Sequence, residues 1–322
     1  MTYQVCSRLE QEKLAMRDVY ANTMIDLASK NDKIVALDAD LMNSVGMVKF
    51  AKEFPDRMIN CGIMEANMIG TAAGMSAVGL IPHCHTFACF ATRRALDQIF
   101  VSAAFARANI RIIGSDPGIT AAFNGATHMS FEDVGSLRDV PGVTIIEPTD
   151  CVMLEDVLRQ LEHEYGVFYI RLSRKNAVKI YEDGSTFSIG KAAALRQGKD
   201  VTLISSGICV AESMKAAQIL QEKGIDAAVL NLFTIKPIDR DAIEQAARTT
   251  GAIVTAENHN IHNGLGSAVA EVLAATCPVP MEQVGVRDQF GQVGSVDFLM
   301  KQFGLSADHI VEKAIRAVER KT

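Results

Sequence analysis

The sequence predicts an α/β fold of two doubly wound units with mainly parallel sheets, and three observations carry that reading. Short apolar runs of strand length alternate with amphipathic stretches of helix length along the 322 residues. Some runs stop at polar or acidic residues, as Ile34-Val35-Ala36-Leu37 does at Asp38-Ala39-Asp40, and the carboxyl edge of an open α/β sheet is where ligands bind. The alternation halts across Val178–Ser188, where Tyr181-Glu182-Asp183-Gly184-Ser185-Thr186 is polar and turn-rich, and then restarts. The predicted division is an N-terminal extension (1–12), a first unit (13–177), a linker (178–188) and a smaller second unit (189–322).

In the first unit, Leu14 to Lys30 has the periodicity of an amphipathic helix and Ile34–Leu37 that of a buried strand. A small-residue helix beginning near Glu65 precedes a strand over Leu80–Thr86, and Phe87 to Arg94 leads into the next helix. Ile110–Ile113 is a buried strand followed by a long polar loop, Gly114-Ser115-Asp116-Pro117-Gly118 through Asn124-Gly125-Ala126-Thr127-His128. Loops held on a rigid sheet are where catalytic groups concentrate. Val143–Ile146 is a strand, Thr149 and Asp150 offer an N-cap to a helix over Cys151–Tyr165, and Val167–Leu172 is the next strand. The second unit predicts strands at Val201–Ser205, Ala227–Leu232 and Ala252–Ala256, with helices at Ala211–Glu222, Arg240–Arg248, Leu265–Ala275 and Ala307–Arg320.

A net charge of −6 with no long Lys/Arg run argues against nucleic acid or an anionic membrane as the main partner. No apolar stretch reaches the length of a membrane span and no leader is evident, so the chain reads as cytoplasmic. Seven scattered cysteines without a Cys-x-x-Cys read as reduced thiols. His83-Cys84-His85 with Cys89, and Glu257 with His259 and His262, are weak metal candidates. In a strand Cys84 points away from both histidines, and the Asn- and Gly-rich Glu257–Ser267 segment reads as a strand-to-helix turn. No metal site is predicted in this chain.

The stretch Gly62-Ile63-Met64-Glu65-Ala66-Asn67-Met68 places one carboxylate against an apolar helix, where desolvation favours its protonated form. That suits proton exchange near neutral pH, while a plain helix-terminal acid favoured by the macrodipole accounts equally for the same residue.

Gly62-Ile63-Met64-Glu65, Pro82-x-x-x-Thr86-Phe87-x-x-Phe90, Asn124-Gly125-Ala126-Thr127-His128 and Leu172-Ser173-Arg174-Lys175-Asn176 occur in the order and approximate spacing of transketolases. The chain resembles the C-terminal subunit of a split transketolase, with the first unit similar to its pyrimidine-binding domain and the second to its C-terminal domain. The resemblance implies thiamine diphosphate as cofactor and transfer of a two-carbon ketol unit from a ketose to an aldose. It implies that Glu65 hydrogen-bonds ring nitrogen N1′ of the aminopyrimidine, that Phe87 and Phe90 pack on that ring, and that Asp40 lies near the cofactor and subunit interface. It places His128 at the reacting end of the donor, and Arg17, Ser44 and Arg174 at a sugar phosphate or other oxyanion. Arg93 and Arg94 rank lower. Two positions depart from the family: Asn124 stands where an aspartate is usual, and Ser115 where a histidine often is.

The family holds Mg²⁺ and the diphosphate through a Gly-Asp-Gly segment, and this sequence has no Gly-Asp dipeptide. The resemblance therefore implies Mg²⁺ ligands from an N-terminal partner subunit and an α2β2 heterotetramer. Two other functions remain open at this point: the beta subunit of a 2-oxoacid dehydrogenase first component, and a non-catalytic regulatory subunit.

Overall fold

Parallel pairing decides where the chemistry of this chain can lie, because it brings the carboxyl ends of successive strands to one edge. The computed structural model describes residues 1–321. Its strands are β1 (Val5–Gln11), β2 (Ile34–Asp38), β3 (Met58–Asn60), β4 (Ile81–Phe87), β5 (Ile110–Ser115), β6 (Val143–Ile146) and β7 (Val167–Leu172). Then follow β8 (Val178–Tyr181), β9 (Ala193–Arg196), β10 (Val201–Ser205), β11 (Ala227–Asn231), β12 (Thr234–Lys236), β13 (Ile253–Asn260) and β14 (Met281–Val286).

A seven-stranded sheet runs β12-β6-β7-β5-β4-β2-β3, parallel except for β12, and a five-stranded sheet runs β14-β13-β10-β11-β9, parallel except for β9. Central strands such as β2, β5, β7 and β10 are buried throughout, which is why they read as mainly apolar runs and not as alternation. Helices Met16–Lys30 and Cys151–Leu161 pack together over one face of the large sheet, with Tyr20, Met24, Leu154 and Val157 in their shared core. Helix Glu65–Ala77 covers the other face, burying Met68, Ile69 and Ala72.

The structure departs from the sequence expectation where the helix expected to reach Tyr165 ends at Leu161, where β13 runs on to Asn260 through a stretch expected as a turn, and at the unit boundaries. The N-terminal extension and the linker are not loose: β1 pairs antiparallel with β8, and Tyr3 stacks 6.0 Å from Phe187. Asp150 helps to fix this pairing, since one carboxylate oxygen caps helix Cys151–Leu161 at Met153 N (2.9 Å) while the other accepts from Ile180 N and Tyr181 N at 2.8 and 2.9 Å. The second unit also lends β12 to the first sheet, where it covers the otherwise open edge of β6. Among the described residues no helix is long and apolar enough to cross a membrane, and all seven cysteines are free.

Candidate active site

In register, Phe87 of β4 lies beside Ser115 of β5, and Ser115 beside Leu172 of β7, so the segments that leave these strand ends start from one row. Helix Ala88–Arg93 begins directly after β4, and Phe87, Phe90 and Arg94 therefore come from one strand-to-helix turn. The loop after β5 returns over that turn. It brings the His128 ring to 5.6 Å from Phe87 and 5.2 Å from Phe90, with the two phenylalanines 6.0 Å apart. These edge-on and tilted spacings suit the aromatic quadrupoles.

Glu65 is the first residue of its helix and only 3% exposed. Arg94 Nη1 donates to its Oε1 at 2.8 Å, and the same guanidinium lies 3.9 Å over the Phe90 ring. On the other side Arg174 sits 5.3 Å over the Phe87 ring, with Nε 2.6 Å from Asp116 Oδ2. An unbroken line of contacts thus runs from Glu65 through Arg94, Phe90, His128, Phe87 and Arg174 to Asp116.

The charges along this line set its protonation. Burial, and then the positive charges of Arg94, Arg174 and Arg93, lower the pKa of His128, which leaves a neutral ring near pH 7. Its Nδ1 lies 2.9 Å from Thr127 Oγ1. Burial pushes the Asp116 carboxyl up to about 6 against the opposing pull of Arg174. Arg17 also acts on Asp116, and its Nη1 donates to the Ser44 carbonyl at 3.2 Å. Arg17 and Ser44 are therefore together, but joined through the Ser44 backbone and not its hydroxyl.

Other expected residues stand apart. Ser115 is wholly enclosed, with Oγ lacking a hydrogen-bond partner among the described residues, so its hydroxyl is not presented at the surface. Asn124 is exposed on the loop, four residues before His128. Asp40 takes a left-handed backbone (φ +63°) and accepts from Asn60 Nδ2 at 3.2 Å, making no described contact with the aromatic cluster. The sequence reading ranked Arg94 low and named Asp116 only as part of a loop. Two consecutive arginines gave no sign of which one turns back; Arg93 in fact donates to the Thr127 carbonyl at 3.0 Å and faces Glu132.

The donor set fits an aminopyrimidine. Arg94 occupies Oε1 of Glu65, among the described residues no hydrogen bond reaches Oε2, and the aromatic rings lie one contact away. Among the described residues no group of three or more His, Cys, Asp or Glu side chains is arranged to hold a metal ion.

Comparison with known proteins gives the same architecture. Residues 12–179 match the family model of the transketolase pyrimidine binding domain, and residues 190–310 that of the transketolase C-terminal domain. The chain is 49% identical over 306 residues to a 6-deoxy-6-sulfo-D-fructose transketolase subunit of Clostridium sp. (strain MSTE9), covering 95% of each. It is 35% identical over 308 residues to an apulose-4-phosphate transketolase subunit of Phocaeicola vulgatus, covering 95% of this chain and 98% of that one. A solved structure described as a split gene transketolase, inactive beta4 tetramer, superposes with a TM-score of 0.90 at 38% identity, covering 96% of this chain and all of that one (100%).

Proposed function

The chain belongs to the transketolase family, and from that premise we propose how its residues serve as the C-terminal subunit of a split transketolase. It works with an N-terminal partner subunit; relatives of matching length are themselves named as subunits. The observation that carries the reading is the continuous line from the Glu65 carboxylate to Arg174 and Asp116, which provides a pyrimidine end and an oxyanion end with His128 between them.

In this reading, thiamine diphosphate, when bound, supplies the electron sink for carbon–carbon cleavage. Glu65 holds a proton at N1′ of the aminopyrimidine, and Arg94 fixes the carboxylate by its charged hydrogen bond to Oε1. Phe87 and Phe90 pack on the ring and exclude water. His128, as a neutral imidazole, exchanges a proton with the donor's oxygens. Arg174 directs Nε to Asp116, which leaves its two Nη groups to grip an oxyanion, with Arg17 and Ser44 adjacent. Asn124 contacts a donor hydroxyl, and as an amide without charge it shifts the stereochemical preference. Asp40 lies towards the subunit interface. Ser115 contributes from within the wall and not by direct contact.

The proposed boundaries are an extension (1–12), pyrimidine-binding domain (13–177), linker (178–188) and C-terminal domain (189–322). Mg²⁺ ligands come from the partner, the assembly is an α2β2 heterotetramer, and the enzyme acts in cytoplasmic carbohydrate metabolism. The donor is a ketose ending in a phosphate or sulfonate. The higher identity to the subunit named for a sulfonated ketose favours sulfonate. The 2-oxoacid and regulatory alternatives are not favoured, because these relatives are transketolase subunits.

The test is a donor comparison in the reconstituted two-subunit enzyme. 6-Deoxy-6-sulfofructose is expected to give a higher kcat/KM than fructose 6-phosphate, with pyruvate inactive. The reverse order would assign a phosphorylated donor, and turnover of pyruvate alone would overturn the transketolase roles given to His128 and Arg174.

A further inference from the structure

We propose that Asn258, in the second unit, is a positioning residue that fastens the 115–128 loop, making the C-terminal domain part of the donor site's geometry. The inference rests on the transketolase reading of His128 and Arg174, but the contact that carries it belongs to the chain alone.

The loop is strained. Asp116 (φ +52°) and Ala122 (φ +49°, ψ −115°) are non-glycine residues with left-handed φ, a conformation that persists only where the surroundings over-determine it. Asn258 supplies such a constraint from β13. It is 1% exposed, and both ends of its carboxamide serve one turn of the loop: Nδ2 donates to Pro117 O at 2.8 Å, and Oδ1 accepts from Ile119 N at 2.9 Å. Gly118, between them, lies so close that a Cβ there would stand 2.1 Å from Asn258 Oδ1.

Asn258 is itself held. Its carbonyl accepts from Arg171 Nη2 at 2.9 Å, and its neighbours dock on the same unit: His259 Nε2 accepts from Gly135 N at 3.3 Å, and Asn260 N donates to Phe131 O at 2.9 Å. The Glu257–Asn260 segment, whose composition suggests a turn or a metal ligand, is thus the end of a strand latched across the unit boundary. Through Pro117 the latch bears on Asp116, which pairs with Arg174, at the start of the loop that carries His128. Glu65, Phe87 and Phe90 stand on other elements. Loosening the latch should therefore disturb donor handling and spare the pyrimidine site.

The test uses the reconstituted two-subunit enzyme carrying Asn258→Ala, Asn258→Asp, Gly118→Ala, or Asn258→Ala with Gly118→Ala. Asn258→Asp keeps an acceptor for Ile119 N–H but sets an oxygen against the Pro117 carbonyl, and Gly118→Ala attacks the same contact from the loop side. Each is expected to raise donor KM by about tenfold or more, with thiamine diphosphate Kd within about twofold of wild type. Amide exchange at Ile119, read in the chain itself, should accelerate by about tenfold or more in Asn258→Ala. The double variant should be clearly less than additive, because both changes act on one contact and only the strain of alanine at the left-handed φ of Gly118 (+56°) is separate. Unchanged Ile119 exchange would overturn the latch, as would fully additive effects, or loss of cofactor affinity with donor KM unmoved. If the wild-type enzyme binds thiamine diphosphate but turns over no ketose, the transketolase reading fails, and the exchange result still decides the latch.

Discussion

Replacing Glu65 with glutamine is expected to lower ketol-transfer kcat by about 10²–10⁴-fold in the two-subunit enzyme, the usual range for losing a positioned proton-transfer group. Glutamine has nearly the same shape, and its carbonyl oxygen can still accept from Arg94, as Oε1 now does at 2.8 Å. It cannot hold or release a proton at N1′. Packing, cofactor affinity and donor KM should therefore change little, and the loss should fall on kcat. The competing account makes Glu65 only a favourable charge at a helix N-terminus. That role is worth roughly 0.3–1 kcal/mol of stability and nothing in rate. Steady-state kinetics with a parallel cofactor titration separates the two, and a kcat within about tenfold of wild type would leave only the helix role.

The largest stability effect is expected at Arg171, a residue the sequence presents as one position in an apolar strand. Its side chain is wholly buried between two carboxylates: Nε is 2.8 Å from Asp133 Oδ2, and Nη1 is 2.6 Å from Glu147 Oε1. Tyr169 OH donates to Asp133 at 2.7 Å, and Ser206 Oγ, from the second unit, donates to Glu147 at 2.5 Å. Arg171→Leu leaves both acids buried without their counter-charge and is expected to cost about 3–5 kcal/mol. Thermal unfolding should shift down by roughly 10 °C. Burial alone would raise the Asp133 pKa, but Arg171 overrides it and holds the group below its ordinary 3.8. A carboxylate with a depressed folded pKa stabilises above its unfolded value, and that stabilisation is lost as pH falls through the folded one. The deficit of Arg171→Leu should thus be full at pH 7 and narrow in acid below pH 4. A variant with wild-type melting at pH 7 would show that the network contributes no net stability.

The parts of the fold that were legible in the sequence are strands made mostly of apolar residues and largely buried. Val143–Ile146, Val167–Leu172 and Val201–Ser205 have the bounds expected from their apolar runs, because both faces of a parallel sheet are covered. Strands that depend on a distant partner were not legible. β1 is largely polar and pairs only with the four-residue β8, and β12 is three residues reaching back to the other unit's sheet. β13 runs on through Glu257-Asn258-His259 because Asn258 and His259 find partners across the boundary while Glu257 accepts from Leu265 N and Gly266 N at the start of the next helix. The site divides in the same way. Glu65, Phe87, Phe90 and His128 could be named from a family resemblance, and the structure brings them to one place. The pairing of Arg94 with Glu65, the enclosure of Ser115 and the ion pair of Asp116 with Arg174 depend on side-chain directions that spacing does not encode.

The central claim is that this chain supplies the pyrimidine half of a shared site. Calorimetric titration of thiamine diphosphate with Mg²⁺, into the chain alone and then into the chain with its N-terminal partner, tests it directly. The account predicts no measurable binding to the chain alone and saturable binding to the pair, weakened little by Glu65→Gln. Tight binding to the chain alone would contradict it, since the diphosphate and metal would then be held by residues of this chain.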